Sequence, residues 1–401
     1  MRIPICLLAI VSLTGLAYAE DPDDQATATP PAAGTATAAP ATPAPAPPKY
    51  GGFVFSGLID GYVNENTNHP CLTSSTCLPG NAIGTYNQLQ NFDILNGTPE
   101  LSMIKFTLDK SDSVFGFHFD VGTGETMRLI HSSDPAALDH KALRYFEQMY
   151  VILKPKNTHG TEIDFGTFVT SAGAEVIESN ANWNYSRSIL FAWAIPYYHF
   201  GLKVTTPVNK VLTLGFQVVN PWNETDGGHR FTNIGLTSAV VKGIYTWNVN
   251  YYVGPNNPVA VGLPSSGIRN LFDTTLLVAP NDKTSFYLNG DYGRNNDPFG
   301  GHATWGGVAA AGRYQVTKAI AVAGRGEYFK DAQGYSTGVK QNLGEFTVTG
   351  EYKLSDMFIV RAEGRHDISS VQFFNKGAKP NSAYGETTLT LGVMAVFGPY
   401  K

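Results

Sequence analysis

Residues 244–254 read IYTWNVNYYVG, and their spacing sets how the rest of the chain is read. Tyr245, Trp247, Val249, Tyr251 and Val253 fall on one side of an extended chain, and Thr246, Asn248 and Asn250 on the other. A period of two is that of a β-strand, whose successive side chains point to opposite faces. The pattern recurs on both sides of this stretch. In 113–123, Phe115, Phe117, Phe119 and Val121 oppose His118 and Asp120. In 318–330, Ile320, Val322 and Tyr328 oppose Arg325 and Glu327. In 356–367, Phe358, Val360 and Ala362 oppose Arg361, Glu363 and Arg365.

Sixteen such segments are expected: 53–64, 100–110, 113–123, 145–155, 161–171, 194–206, 210–220, 232–242, 244–254, 268–280, 283–293, 303–316, 318–330, 339–353, 356–367 and 384–397. Connections after the even-numbered segments are short (111–112, 156–160, 207–209, 243, 281–282, 317 and 355), and those after the odd-numbered ones are longer and polar. A membrane barrel with turns at one surface and loops at the other has this alternation.

Composition narrows the choice between a soluble and a membrane barrel. Only 15% of the 401 residues are charged, against roughly a quarter in an ordinary globular chain. A formal charge of −5 gives no basic footprint for nucleic acid. Sixteen strands enclose a lumen too wide for side chains to fill, and the polar faces carry enough charge to need water. A β-propeller would show blade repeats of roughly 40 residues, and no such self-similarity is found. The expected fold is all-β: a transmembrane antiparallel β-barrel of about sixteen strands, with short periplasmic turns and long extracellular loops.

The barrel is expected to occupy residues 50–401. Before it, Arg2, the apolar run 3–16 and Ala17-Tyr18-Ala19 have the form of a cleaved signal peptide, residues 1–19. Residues 20–49, almost entirely Ala, Pro and Thr after an acidic patch, have too little apolar surface to order and read as a disordered periplasmic tether. Cys71 and Cys77 share one polar segment, and an oxidising compartment favours a disulfide between them. A loop that short gains roughly 2 kcal/mol from closure.

A family resemblance enters with three stretches: Asn96-Gly97-Thr98-Pro99-Glu100, Phe117-His118-Phe119-Asp120, and above all residues 170–198, TSAGAEVIESNANWNYSRSILFAWAIPYY. They resemble the OmpL-like β-barrel porins of bacterial outer membranes, over most of 52–397. The resemblance implies an outer-membrane porin, a water-filled channel for passive diffusion of small hydrophilic solutes and ions. Many outer-membrane barrels end on an aromatic residue. Here Phe397 is followed by Gly398-Pro399-Tyr400-Lys401, so the barrel-assembly machinery is expected to read Phe397 or Tyr400.

With polar faces turned inward, the lumen candidates are Asp60, Lys105, His118, Asp120, Glu162, Asp164, Lys203, Asp273, Asp291, Arg313, Arg325, Glu327, Glu351, Arg361, Glu363 and Arg365. The acids Asp120, Glu162 and Asp164 lie on the third and fifth segments, and the arginines 313, 325, 361 and 365 on the twelfth to fifteenth, roughly across the barrel. Facing walls of opposite charge would set a transverse field that tunes ion choice. Residues 172–193 carry Glu175, Glu178, Trp183, Tyr185 and Arg187 and are long enough to fold into the lumen, with Glu175 and Glu178 facing the arginines. In 124–144, Asp134-Pro135 precedes a stretch suited to a short helix. Tyr62, Tyr150, Tyr198, Trp247, Tyr251, Tyr292, Tyr328 and Tyr352, toward strand ends, fit interfacial girdles.

Two other classes fit parts of the pattern. Glu162 and Asp164 share a strand face about 7 Å apart, a spacing open to acid–base chemistry. However, no nucleophile elbow, phosphate-binding loop or metal-binding helix accompanies them. A receptor or adhesin would use the long loops instead. The expectation is a non-enzymatic porin without cofactor or metal site, monomeric or trimeric, in contact with outer-membrane lipid, small hydrophilic solutes or ions, and no nucleic acid.

Overall fold

In the computed structural model, the described residues are 52–70, 86–111, 113–225, 232–256, 267–296 and 301–398. The expected leader, the tether, the Cys71–Cys77 disulfide and Tyr400 lie outside them. Among the described residues, eighteen strands follow one another: β1 (Val54–Asn66), β2 (Pro99–Lys110), β3 (Phe115–Thr123), β4 (Phe146–Leu153), β5 (Glu162–Val169), β6 (Tyr198–Pro207), β7 (Leu212–Val219), β8 (Asn233–Lys242), β9 (Tyr245–Pro255), β10 (Ile268–Asn281), β11 (Thr284–Asn296), β12 (His302–Gln315), β13 (Ile320–Asp331), β14 (Gln341–Lys353), β15 (Phe358–Ser369), β16 (Phe374–Lys376), β17 (Lys379–Ala383) and β18 (Gly385–Phe397). All but β16 and β17 form one closed barrel of neighbouring antiparallel pairs. β1 pairs with β18, from Gly57 opposite Phe397 to Asn66 opposite Thr388. Closure removes every exposed edge and pairs the backbone groups a bilayer could not solvate. β16 and β17 make a small separate hairpin inside the last long loop, which strand periodicity did not reveal.

The short turns share a device. The Asn209 side chain accepts from the amides of Val211 and Leu212 (2.8 and 2.9 Å), and Asn281 from Lys283 and Thr284, both at 3.0 Å. Thr317 does the same for Ala319 and Ile320 (3.2 and 3.0 Å), and Ser355 for Met357 and Phe358 (3.2 and 3.1 Å). Side-chain oxygens thus stand in for backbone acceptors where each hairpin reverses. At the β8–β9 turn Gly243 takes φ +60, a conformation that favours glycine.

The faces are inverted relative to a soluble barrel. Phe55, Leu214, Leu236, Leu288, Val308, Phe346 and Leu389 point outward and are exposed. Asp60, Asp273, Arg325, Arg361 and Arg365 point inward and are buried. An outward apolar band around a polar interior is the pattern of an outer-membrane barrel. Among the described residues, no helix is long and apolar enough to cross a membrane. Trp247, Tyr251, Tyr292, Tyr328 and Tyr352 lie on the outer face, as girdle residues would. Tyr62 and Tyr198 do not: both are buried inside. Tyr150 also faces in, stacked on His118 with ring centres 5.1 Å apart.

The long loops pack into the barrel and carry its apolar core. After β3, α1 (Glu125–Ile130) and α2 (Pro135–Asp139) provide the expected short helical structure. After β5, residues 170–197 turn inward and end in α3 (Ile189–Trp193). Phe92, from the loop after β1, meets Phe191 at 5.8 Å and Tyr197 at 5.5 Å between ring centres. Arg187 lies over the Phe92 ring at 4.6 Å. Each such buried ring contributes about 1.5–3 kcal/mol, so the two loops hold one another as well as the wall.

Candidate functional site

The site is the lumen and the loop set into it. On β15, Arg361, Glu363 and Arg365 point inward at successive same-face positions, about 7 Å apart along the strand. Together they bind the loop backbone. Arg361 donates to the carbonyls of Ser179 (2.8 Å) and Asn184 (2.7 Å), and also to that of Asn182. Glu363 accepts from the amides of Tyr185 (2.6 Å) and Ser186 (2.9 Å). Arg365 donates to the carbonyl of Arg187 at 2.7 Å and to Asp367 at 2.8 Å. A strand with charges alternating in sign therefore offers donors to carbonyls and acceptors to amides, and irregular backbone is satisfied away from water.

β13 continues the surface. Arg325 reaches Glu175 of the loop at 2.7 Å, the Ser186 carbonyl at 2.8 Å and Glu345 at 3.2 Å. Glu327 accepts from the amides of Ile189 (2.6 Å) and Leu190 (3.0 Å). The Ser188 side chain accepts from Phe191 at 3.0 Å, so the first amides of α3 are all satisfied.

The loop also reaches the strands that flank this surface in the barrel. Asp60 of β1 accepts from Ser179 at 2.7 Å and the Tyr185 hydroxyl at 2.9 Å. Asp273 of β10 accepts from the Gly173 amide at 3.0 Å, and Asn250 of β9 donates to the Ser171 carbonyl at 2.8 Å. Trp305 of β12 donates to the Ala194 carbonyl at 3.0 Å. The Tyr185 ring lies against β18 at Gly392, where a Cβ would stand 2.2 Å from ring carbons.

Arg325, Arg361 and Arg365 are each 1% exposed or less. They lie beneath the loop, spent on its carbonyls and on neighbouring acids, and present no free charge to water. Glu175 does meet one of the arginines, Arg325. Glu178 instead meets Lys105 of β2, which also pairs with Glu147 at 2.9 Å and Asp120 at 3.4 Å. Asp120 in turn accepts from Gln148 at 2.8 Å and contacts His118 at 3.0 Å. Arg313 pairs with Glu351 at 2.8 Å, nearer the short-turn rim. Glu162 pairs with Lys154 at 2.9 Å, and Asp164 with Lys203 at 3.0 Å. Each member of the suspected acid–base pair thus has its own lysine partner on the wall.

Sequence reasoning missed Glu147. The bulge between Asp120 and Val121 turns it inward, out of the alternation of β4. The available signal was an acid at a position that simple alternation would put against lipid. Asp93 was also missed: it lies in the loop after β1, outside the strands, buried beside Asn64 of β1, and burial pushes its carboxyl up to about 7.

A closed sixteen-strand barrel with an apolar outer band and a charged, loop-filled lumen defines an outer-membrane porin. Residues 52–397 match the family described as "Putative beta-barrel porin-2, OmpL-like", and the chain belongs to it. Its place is the bacterial outer membrane. Solved structures share the fold at low identity. "Outer-membrane expressed OmpT of Vibrio cholerae" is 11% identical, with a TM-score of 0.57, over 88% of this chain and 100% of that one. "Anion-selective porin from Comamonas acidovorans" is 12% identical, with a TM-score of 0.53, over 86% of this chain and 99% of that one. The "outer membrane channel DcaP of Acinetobacter baumannii" is 8% identical, with a TM-score of 0.56, over 86% and 97%. No curated protein sequence matches the chain.

Proposed function

We propose that this porin is a constricted, non-enzymatic diffusion channel in which loop 170–197 narrows the lumen. Small hydrophilic solutes and ions pass between that loop and the opposite wall. The observation that carries the reading is the fastening of the loop, which springs from β5 and β6, to Arg325, Arg361, Glu363 and Arg365 on β13 and β15 across the barrel. In this reading the arginines are structural, and the selectivity residues are those left partly exposed on the unlined wall, Glu162 and Lys154 among them. Outer-membrane lipid covers the apolar band, and the chain works as a homo-oligomer; one fold neighbour is described in a "trimer form". Residues 1–19 direct export, and residues 20–49 remain as a tether on the periplasmic side.

The test is deletion of residues 175–187 from the full chain, followed by single-channel recording across a KCl gradient. Conductance should rise several-fold. Unchanged conductance in a folded barrel would remove the constriction.

A further inference from the structure

We propose that the inner face of β9–β11 carries a binding station for a hard, oxygen-coordinated cation of calcium's size. It is centred on Asp273 and Asp291 and filled in transit through the channel, so it rests on the porin reading and deepens it. Asp273 stands directly opposite Asp291 across the β10–β11 pair, and opposite Asn250 across β9–β10. Neighbouring strands are about 4.8 Å apart, so the three side chains lie side by side on the inner wall.

Their hydrogen bonding is uneven. Asp273 accepts from the Gly173 amide (3.0 Å), Asn289 (3.0 Å) and Asn250 (2.7 Å). Asp291 is 6% exposed, and neither of its oxygens has a hydrogen-bond donor. Asn250 Oδ1 and Thr275 Oγ1 are also unpartnered, on residues 1% and 2% exposed. Thr275 is two positions along the same face from Asp273.

Two carboxylates this close need a shared proton or a cation between them. Basic side chains do not provide the cation. Arg269 of β10 lies over Trp222 at 4.3 Å and donates to Tyr335 at 2.9 Å. Arg325 is bound to Glu175 and Glu345. A shared proton would neutralise the pair but leave the Asn250 and Thr275 oxygens buried and unpaired, which is costly. A calcium-like cation takes six to eight oxygen ligands and uses both carboxylates, the amide oxygen and the hydroxyl together. Thr246 and Asn248, partly exposed on the same face of β9, mark the approach from the short-turn rim. A station inside a conducting path must release its ion, so affinity is expected on the order of 10⁻³ M.

The test titrates the detergent-folded full chain with calcium chloride in a calorimeter. In parallel it records potassium currents in planar bilayers with and without millimolar calcium. Wild type should bind about one calcium per chain and lose potassium current to it. Asp291→Asn should weaken binding about tenfold or more and abolish the block. Thr275→Val, which leaves the charges alone, should weaken binding by a smaller factor. Heat-modifiable gel mobility confirms that each variant is a folded barrel, and if Asp291→Asn does not fold, Thr275→Val decides. No calcium uptake by wild type, or equal affinity in wild type and the folded variants, overturns the site and leaves the pair sharing a proton. A barrel that binds calcium but never conducts keeps the site and removes the porin reading, whereas one that conducts without binding removes only the site.

Discussion

Replacing Arg361 by Met tests how the loop is held. The change keeps an unbranched apolar stem and removes the guanidinium donors to the carbonyls of Ser179, Asn182 and Asn184. Hydrogen bonds from a charged group contribute about 1.5–3 kcal/mol each, so three bonds give a gross loss of roughly 4–9 kcal/mol. Much of that is recovered when freed carbonyls meet water in the lumen. Glu351 is not orphaned, because Arg313 still holds it at 2.8 Å. The net weakening is therefore about 2–4 kcal/mol. The readout is amide exchange at Tyr185 and Ser186, whose N–H groups are held by Glu363 next to the lost contacts. A weakening of that size speeds exchange roughly 30- to 1,000-fold if exchange follows loop opening. Exchange at barrel amides should be unchanged, and single-channel records should show added openings of larger conductance. A folded Arg361→Met barrel with wild-type exchange at both amides would refute the reasoning: the loop would then be held by the Phe92–Phe191–Tyr197 packing, and the arginine would be incidental.

Gly392→Ala places a methyl group against the Tyr185 ring; it should loosen the same loop and raise conductance, while the melting of the barrel stays near wild type. Asp93 has a raised carboxyl value of about 7 in the folded chain against 3.8 as its ordinary value. The folded state therefore holds the extra proton between these limits, and loop stability falls as pH rises through that window. Asp93→Asn should flatten this dependence and slow exchange of the Asn87 amide at pH 8. Leu288→Arg, in the middle of β11 and facing outward, should destabilise the barrel by roughly 2–4 kcal/mol in chemical unfolding from lipid vesicles if that face meets hydrocarbon. A cost near zero would place the face in water.

Much of this protein is determined by local pattern. Strict alternation in residues 244–254 and its counterparts locates the strands, because side chains on a pleated chain must point to opposite faces whatever surrounds them. Asn209, Asn281, Thr317 and Ser355 mark the tight turns by their own side-chain chemistry, and the short–long alternation follows from them. The inward charges were legible for the same reason. What the charges do was not. Arg361 and Glu363 read as lumen lining until loop 170–197, roughly 180 residues earlier in the chain, is laid on them. Contacts over that separation leave no period in the sequence. Bulges also escape it: Glu147 enters the lumen because one extra residue in β4 breaks the alternation. Tyr62 and Tyr198 were misplaced because an aromatic ring near a strand end suits either a lipid girdle or a buried loop contact, and only closure of the barrel over its own loops decides which. Sequence thus sets what each strand can present to either side, and tertiary structure decides whether water, lipid or the chain itself receives it.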